Sequence, residues 1–193
     1  HYKRKNYNHL IVSPHHTHSV LVKMINKEIE NHKSGLSSGI RLKLNAITNF
    51  SIIDKLYQAS SEGVKIQMIV RGICCLIPGI KGMSENIEVI SIVDKFLEHP
   101  RVYQFDNGGS PKIYISSADF MTRNIENRVE VAVPIYDVRL QRQIKDVFDI
   151  IWNDNVKARR LNGPNQNAFV KNNLKANRSQ FEIYEYYKRG VSL

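Results

Sequence analysis

Short apolar runs alternate with amphipathic segments from residue 9 to residue 70, and this alternation constrains the fold more than any other feature. Residues 9–14 are an apolar run closed by a proline, and residues 19–35 repeat apolar side chains at helical spacing. The same order recurs as a strand pattern over 41–48, a helix pattern over 49–63 and a strand pattern over 64–70. Strands that alternate with helices indicate an α/β domain.

The middle of the chain is predicted to contain a loop, two helices and three strands. The predicted elements are a loop over 71–84, a helix over 85–99, strands over 101–105, 112–116 and 128–135, and a helix over 137–154. The turn sequence DNGGSP joins the first two of these strands as a hairpin, and Asp137 is the expected N-cap of the last helix. Together the elements predict an α/β/α sandwich with a mixed β-sheet.

The composition shifts towards Asn, Lys and Arg near Val156. We therefore predict one domain over residues 1–160, followed by a loop and helical tail over 161–193, with the helix within 174–190. The chain opens without a methionine or an apolar signal core, so we expect a piece cut from a longer protein.

The charge balance indicates an anionic partner. Lys and Arg total 28 against 18 Asp and Glu, which gives a net charge of +10. Phosphate-rich ligands, nucleic acid and anionic membranes all fit this charge, and so does a basic surface that only keeps the protein in solution. No apolar run is long enough to span a membrane. Because the only cysteines, Cys74 and Cys75, are adjacent and poorly placed to bridge each other, we expect a reducing, cytoplasmic setting.

The loop after the strand at 64–70 contains two candidate anion contacts. Arg71 directly follows the strand, and Gly72 would let a phosphate approach the backbone closely. Lys81 lies between two glycines just before the helix predicted over 85–99, where helix amides could bind an anion. The alternative to an anion site is an ordinary strand-to-helix loop in which the lysine side chain is solvated.

His99 ends that predicted helix, where a histidine is often only a cap. His99-Pro100-Arg101 leads into a strand, however, and the paired strand runs on to Asp119 through two serines, Ser116 and Ser117. Adjacent strands can bring a histidine, a cation and hydroxyl groups around one phosphorus atom.

Other patterns are weak or absent. Lys43 and Asn45 share one face of the strand at 41–48, which could line a site or face water. The histidines of SPHHTH lack a neighbouring cysteine or acidic cluster, so we expect no zinc site there. The motifs of P-loop enzymes, G-x-S-x-G hydrolases, H-E-x-x-H proteases and the common RNA-recognition module are missing.

Three segments, VKIQMIVRGICCLIPGIKG, FLEHPRVYQF and KIYISSADFMTRN, resemble the last catalytic domain of the type 1 family of bacterial polyphosphate kinases. The resemblance extends in order from about residue 9 to about residue 160. It implies a phospholipase D-like fold and an active site between two such domains, of which this chain is the second. The implied reaction is reversible transfer of the terminal phosphate of ATP onto polyphosphate, with Mg²⁺, through a phosphohistidine in the preceding domain.

The resemblance also implies roles for individual residues. His99 matches the second active-site histidine of the family, and Arg71 matches an arginine that binds ATP. Arg123 and Lys43 are further candidate phosphate contacts, and no residue is predicted to bind a metal. The implied partners are ATP or ADP, polyphosphate, the preceding domain and other copies of the full-length enzyme.

Two alternatives stay open at this point. One is a phospholipase D-type phosphodiesterase or nuclease, although the chain lacks a full H-x-K-x-x-x-x-D motif. The other is a non-catalytic module that binds polyphosphate or nucleic acid.

Overall fold

The computed structural model of the chain describes residues 7–163 and 167–190, and these residues form one large sheet with helices on both faces. The strands are β1 (Ile11–Val12), β2 (Ile40–Leu44), β3 (Ile66–Val70), β4 (Ile87–Ser91), β5 (Arg101–Phe105), β6 (Lys112–Ser116), β7 (Val131–Pro134), β8 (Arg159–Leu161) and β9 (Asn167–Phe169). The helices are α1 (Thr17–Lys33), α2 (Phe50–Ser61), α3 (Val138–Trp152) and α4 (Ser179–Lys188).

The sheet is mixed, as the sequence predicts. The described strands lie in the order β1-β7-β6-β5-β2-β3-β4-β8-β9. The central strands β2, β3 and β4 are parallel to one another, and every other neighbouring pair is antiparallel. The carboxyl ends of β2 and β3 therefore meet the amino end of β5 at one edge of the sheet.

Helices cover the two faces because alternate side chains of each strand point to opposite sides. Leu42 and Met68 belong to a core that also contains Leu21 of α1 and Leu56 of α2. A smaller core on the other face contains Ile69 and Ile90 of the sheet together with Phe148 and Ile151 of α3. These layers confirm the predicted α/β/α sandwich.

Two helix N-termini have side-chain caps, and the sequence predicts the one at Asp137. The side chain of Asn49 accepts a hydrogen bond from the Ile52 amide at 3.1 Å. The Asp137 carboxylate accepts hydrogen bonds from the amides of Arg139 and Leu140. Each cap pairs a backbone amide that has no partner within its helix.

The helix predicted over 85–99 is wrong. Residues 87–91 form strand β4, and an irregular segment follows it as far as β5. The apolar positions of ENIEVIS fit both periods, and its β-branched side chains favour the strand when neighbours on both sides can pair with it. Lys81 accordingly precedes a strand rather than a helix N-terminus, and its side chain is exposed.

The chain after α3 contributes more to the fold than the sequence indicates. β8 and β9 extend the sheet within a segment that reads as a loop, of which residues 164–166 lie outside the described part. The predicted terminal helix is present as α4, and Tyr186 donates a hydrogen bond to Asp146 of α3 at 2.8 Å. The division between residues 160 and 161 stays a prediction. In residues 7–163 and 167–190, every helix is too short or too polar to cross a bilayer.

Candidate functional site

A connected row of polar side chains lies where the carboxyl ends of β2 and β3 meet the start of β5. Asn45 follows β2, Arg71 follows β3 and Arg101 begins β5. In open α/β sheets this edge is where ligands bind, because loops and polar side chains meet there above the apolar core. We call the set Arg71, Asn45, Asp119, Arg101 and His99 the polar row.

Arg71 is half-buried and is held by one neighbour. Its Nε and Nη2 atoms donate to Oδ1 of Asn45 at 3.2 and 3.0 Å. Gly72 follows, and its amide donates to the Asn45 carbonyl oxygen at 2.8 Å. A Cβ atom at Gly72 would lie 2.9 Å from that oxygen, so glycine is needed for the two chain segments to approach. The sequence predicts that a phosphate approaches the backbone closely at Gly72, but in the structure the Asn45 carbonyl oxygen occupies that position.

Asp119 is the buried centre of the polar row. Oδ1 accepts hydrogen bonds from the amides of Asn45 at 2.7 Å and Ala46 at 3.1 Å, and Oδ2 accepts one from Nη2 of Arg101 at 2.7 Å. Burial by itself would raise the pKa of Asp119, but the Arg101 hydrogen bond and the two amides outweigh it and lower the pKa below the ordinary 3.8. The carboxylate is therefore ionised at neutral pH and fixes Arg101.

His99 lies in the irregular segment before β5, and its ring is exposed. Nη1 of Arg101 lies 2.9 Å from Nδ1 of His99, and Nη2 lies 3.1 Å from Nε2. Arginine has no lone pair to offer, so Arg101 is the donor in any hydrogen bond between these side chains. The alternative role of His99 as a helix C-cap is wrong, because no helix precedes it.

The structure brings two of the four predicted site residues into the polar row, His99 and Arg71. Lys43 lies two residues before the edge, where its Nζ is 2.7 Å from Oε2 of Glu98 and the lysine side chain is only 10% exposed. This pair borders an apolar cavity of 340 Å³ between the sheet and the helices α3 and α4. Arg123 is exposed on a short helical turn, Arg123–Asn127, and makes no hydrogen bond to the polar row.

Residues that the sequence did not select complete the edge. Asn45, which the sequence leaves undecided, links Arg71 to Asp119, and only its alternation with Lys43 signals this position. Ser117 donates a hydrogen bond to Glu130, a residue for which the sequence gives no signal. The second oxygen of Glu130 accepts from Nδ2 of Asn124 at 2.6 Å.

The polar row can bind an anion but offers little to a metal ion. It presents two guanidinium groups and an imidazole beside one carboxylate whose lone pairs are already used. Planar guanidinium groups match the oxygens of phosphates and carboxylates. Within residues 7–163 and 167–190, no group of three or more His, Cys, Asp or Glu side chains could hold a metal ion.

Comparison with known proteins gives one consistent result. Residues 10–180 match the family described as polyphosphate kinase C-terminal domain 2. The chain is 49% identical over 188 residues to the polyphosphate kinase of Klebsiella pneumoniae and 47% identical over 188 residues to that of Escherichia coli K12. Each alignment covers 97% of this chain and 27% of the relative, so the chain spans about a quarter of the proteins it matches.

Comparison with solved structures agrees with the family and sequence matches. The crystal structure of polyphosphate kinase from Porphyromonas gingivalis superposes with a TM-score of 0.94 and 40% identity, over 98% of this chain and 29% of that one. Nuc of Salmonella typhimurium, a phospholipase D family member, superposes with a TM-score of 0.59 and 16% identity, over 80% of this chain and 97% of that one. The second match confirms the predicted phospholipase D-like fold, and the first, with the sequence relatives, confirms the resemblance. The chain belongs to the polyphosphate kinase C-terminal domain 2 family.

Proposed function

We propose that the protein containing this chain is a polyphosphate kinase, which transfers the terminal phosphate of ATP reversibly onto inorganic polyphosphate. The chain supplies one half of the active site, and the polar row is the surface that faces the phosphates. Family membership supports this reaction over phosphodiester cleavage, since only the fold is shared with phospholipase D proteins. The observation that carries the proposal is the unbroken contact from Arg71 through Asn45 and Asp119 to Arg101 and His99.

In this proposal the two arginines bind and orient phosphate groups. Arg71 has one hydrogen-bonding partner, the Asn45 oxygen, and keeps N–H groups for a ligand. Arg101 is fixed by Asp119 and faces His99, so an anion at this point is met by both side chains. Phosphoryl transfer depends mainly on positioning and charge stabilisation, and preorganised cations provide both.

His99 acts as a hydrogen-bond donor or cation rather than chiefly as an acid. The phosphohistidine lies in the preceding domain, outside this chain. ADP leaves readily without protonation at neutral pH, because the second pKa of a phosphate monoester is about 6. A ring N–H of His99, or an imidazolium formed once the ring no longer accepts from Arg101, would instead stabilise the charge that moves between the oxygens of the transferring phosphoryl group.

We assign smaller roles in phosphate binding to Mg²⁺, Lys43 and Arg123. The described residues offer no ready set of metal ligands, so Mg²⁺ would arrive on the phosphates of ATP, as is usual for this ion. Lys43 would have to exchange Glu98 for a phosphate. Arg123 would contact the outer part of the substrate. We also propose a cytoplasmic, homo-oligomeric full-length enzyme; the two free cysteines are consistent with the first point.

Substitution of His99 in the full-length enzyme tests this role. We expect His99→Ala to lower kcat by about a hundredfold, in the range that one lost electrostatic donor costs. His99→Lys retains a positive charge and should recover a substantial part of that loss. The measurement is the rate of polyphosphate synthesis from ATP, with the rate of the reverse reaction beside it.

His32→Ala is the matched control, because His32 is an exposed histidine at the far end of α1, bonded to Ser38. It should leave both rates unchanged. A His99→Lys enzyme as inactive as His99→Ala would show that charge is not what matters. Phosphodiester cleavage without any synthesis of polyphosphate in the unsubstituted protein would refute the proposed function itself.

A further inference from the structure

A second basic surface begins at Arg71 and crosses the end of β4 to β8. We call it the β8 groove; it has a volume of 510 Å³, and its polar and aromatic lining includes Arg71, Ser91, Lys157, Arg159 and Phe169. Three of its lining side chains are cationic and none is a carboxylate. A concave surface with one sign of charge concentrates the opposite sign, so this groove attracts anions.

The cations of the β8 groove are not neutralised by acidic partners. Within the described ranges, Arg71, Lys157 and Arg159 form no ion pair. Asp94 lies close enough to Lys157 to be influenced by its charge. However, Arg178 already holds both oxygens of Asp94, at 2.8 and 2.6 Å.

The neighbouring arginine of the same strand shows the contrast. Arg160 points to the other side of β8 and lies 3.5 Å from Glu88 of β4, at a solvated position. Arg159, one residue earlier, lines the groove. One arginine of β8 thus has a carboxylate nearby and the other does not.

Arg159 is oriented without using up its donors. Its Cζ lies 4.0 Å from the centre of the Phe169 ring, a stacking arrangement, and Nη1 donates to the Asn167 carbonyl oxygen at 3.3 Å. Ser91 is the β4 partner of Arg159 in the sheet, and its hydroxyl donates to the Arg71 carbonyl oxygen at 3.4 Å. The groove is therefore a continuous surface from Arg71 to Arg159.

The extent of the β8 groove, with three cations along it, favours an extended anion over a single phosphate. Arg71 follows β3 and Arg159 begins β8, with β4 between them, so two strand spacings of about 4.8 Å each separate their backbones. Arg71 and Arg159 could meet on one phosphate group, but the groove also includes Lys157 and is large enough for more than one phosphate. A row of linked phosphates would contact all three cations, because its charged oxygens recur along its length.

We propose that the β8 groove is a second phosphate-binding subsite, which holds the inorganic polyphosphate chain where it extends beyond Arg71. This inference rests on the proposed function for the identity of its ligand. The triphosphate of ATP has the same chemistry, and the kinetic experiment separates the two sources.

The experiment substitutes the groove cations in the full-length enzyme and measures ATP synthesis from ADP and polyphosphate. Arg159→Gln and Lys157→Gln should each raise the KM for long polyphosphate by about tenfold, the usual value of a hydrogen bond to a charged group. The KM for ATP in the forward reaction should stay within about twofold of the unsubstituted enzyme, because in this proposal ATP does not contact Lys157 or Arg159.

Arg160→Gln is the matched control, since it removes the same charge from the adjacent residue of the same strand. It should leave the KM for polyphosphate unchanged. An equal rise in this control would mean that only net charge matters and would overturn the subsite. So would an unchanged KM for polyphosphate in both groove variants, or a rise in the KM for ATP of the same size.

A direct binding measurement keeps the inference separate from the proposed function. If the unsubstituted protein does not interconvert ATP and polyphosphate, the proposed function fails, and calorimetric titration with long polyphosphate then decides the subsite. Affinity that falls about tenfold in Arg159→Gln but not in Arg160→Gln would support it, whereas equal affinities would overturn it. Lys157→Gln gives a second result that does not depend on the folding of the Arg159 variant.

Discussion

Arg101 and Asp119 form an ion pair that is almost completely withdrawn from water. Their side chains are 11% and 8% exposed, and the closest nitrogen and oxygen are 2.7 Å apart. Burial of two charges costs free energy, which the pair recovers only when its remaining hydrogen-bonding groups are also satisfied. The two amides that donate to Asp119 meet this condition for the carboxylate. The pair therefore fixes where the Arg101 guanidinium sits.

Substitution of Asp119 should lower the free energy of unfolding, because it leaves the buried Arg101 charge unpaired. Asp119→Asn leaves Arg101 without its counter-charge, and we expect the free energy of unfolding to fall by about 3 kcal/mol or more. Asp149→Asn is the comparison variant, because Asp149 pairs with Arg41 in solvent, and it should cost under about 1 kcal/mol. Urea unfolding measures both. Similar losses in the two variants would contradict the assigned strength of the buried pair.

The same pair makes stability depend on pH in a known direction. The pKa of Asp119 is lower in the folded protein than the ordinary 3.8, so its stabilising contribution is present above that pH. The contribution is lost as the pH falls through the folded-state pKa. The difference in unfolding free energy between the unsubstituted protein and Asp119→Asn should therefore shrink in acid.

Asp154 acts at the scale of elements, because it joins the end of α3 to β8 and to the start of α4. Its Oδ1 atom accepts hydrogen bonds from the amides of Val156, Lys157 and Ala158, at 2.9, 2.6 and 3.1 Å. Its Oδ2 atom accepts one from the Ser179 amide at 2.8 Å. Burial alone would raise the pKa of Asp154, but these hydrogen bonds lower it overall.

Asp154→Asn should loosen α4 in particular. An amide side chain has one acceptor oxygen instead of two and places N–H groups against backbone N–H groups. We expect the amides of α4 to exchange hydrogen about tenfold faster, since a hydrogen bond to a charged group is lost. Hydrogen exchange resolved along the chain measures this. Asp137→Asn, which keeps a capping side chain on α3, should leave α4 unchanged.

Sequence patterns predicted the elements whose signals are local. The Asp137 cap, the hairpin around DNGGSP and the strands β2 and β3 follow from capping residues, turn residues and alternation. Strand β4 was missed because ENIEVIS fits two periods, and only pairing with β3 and β8 decides between them. Short strands such as β9 have no distinguishing pattern of their own. His99 and Arg71 emerged from their positions near strand ends, whereas Glu130 acts through a distant partner that no spacing reveals.

At the scale of the whole molecule, the polar row reaches solvent through the exposed His99 and the half-buried Arg71, and we propose that a second half of the site meets it there. The chain spans 27% of its relatives, and our proposal assigns the phosphohistidine to the preceding domain of the longer protein. The row contains cations and a fixed carboxylate, but its only nucleophilic candidate, His99, is proposed to act as donor or cation. We therefore expect this chain alone to bind phosphate groups, whereas phosphoryl transfer should require the full-length protein.

We expect the 193-residue chain on its own to synthesise no polyphosphate from ATP. In the proposed mechanism this chain can bind an anion, whereas the histidine that accepts the phosphoryl group belongs to the preceding domain. The assay uses radiolabelled ATP, with the full-length enzyme as positive control and circular dichroism to establish that the isolated chain is folded. Polymer formed by the folded chain would refute the two-domain site.

The pairing of β5 with β2 has a consequence for how the site tolerates change. Lys43 lies opposite Val102 in this ladder, and Leu42 lies opposite Tyr103. Since side chains alternate between faces, a slip of β5 by one residue would turn Tyr103 and Phe105 out of the core that they share with α1 and α2. The same slip would turn Arg101, which lies on their side of the strand, to the opposite face. An insertion or deletion within 101–105 would therefore disrupt the phosphate surface and the core together. The hairpin turn that follows is tied to the same core, because the Asn107 amide donates a hydrogen bond to the buried Glu28 of α1 at 2.7 Å.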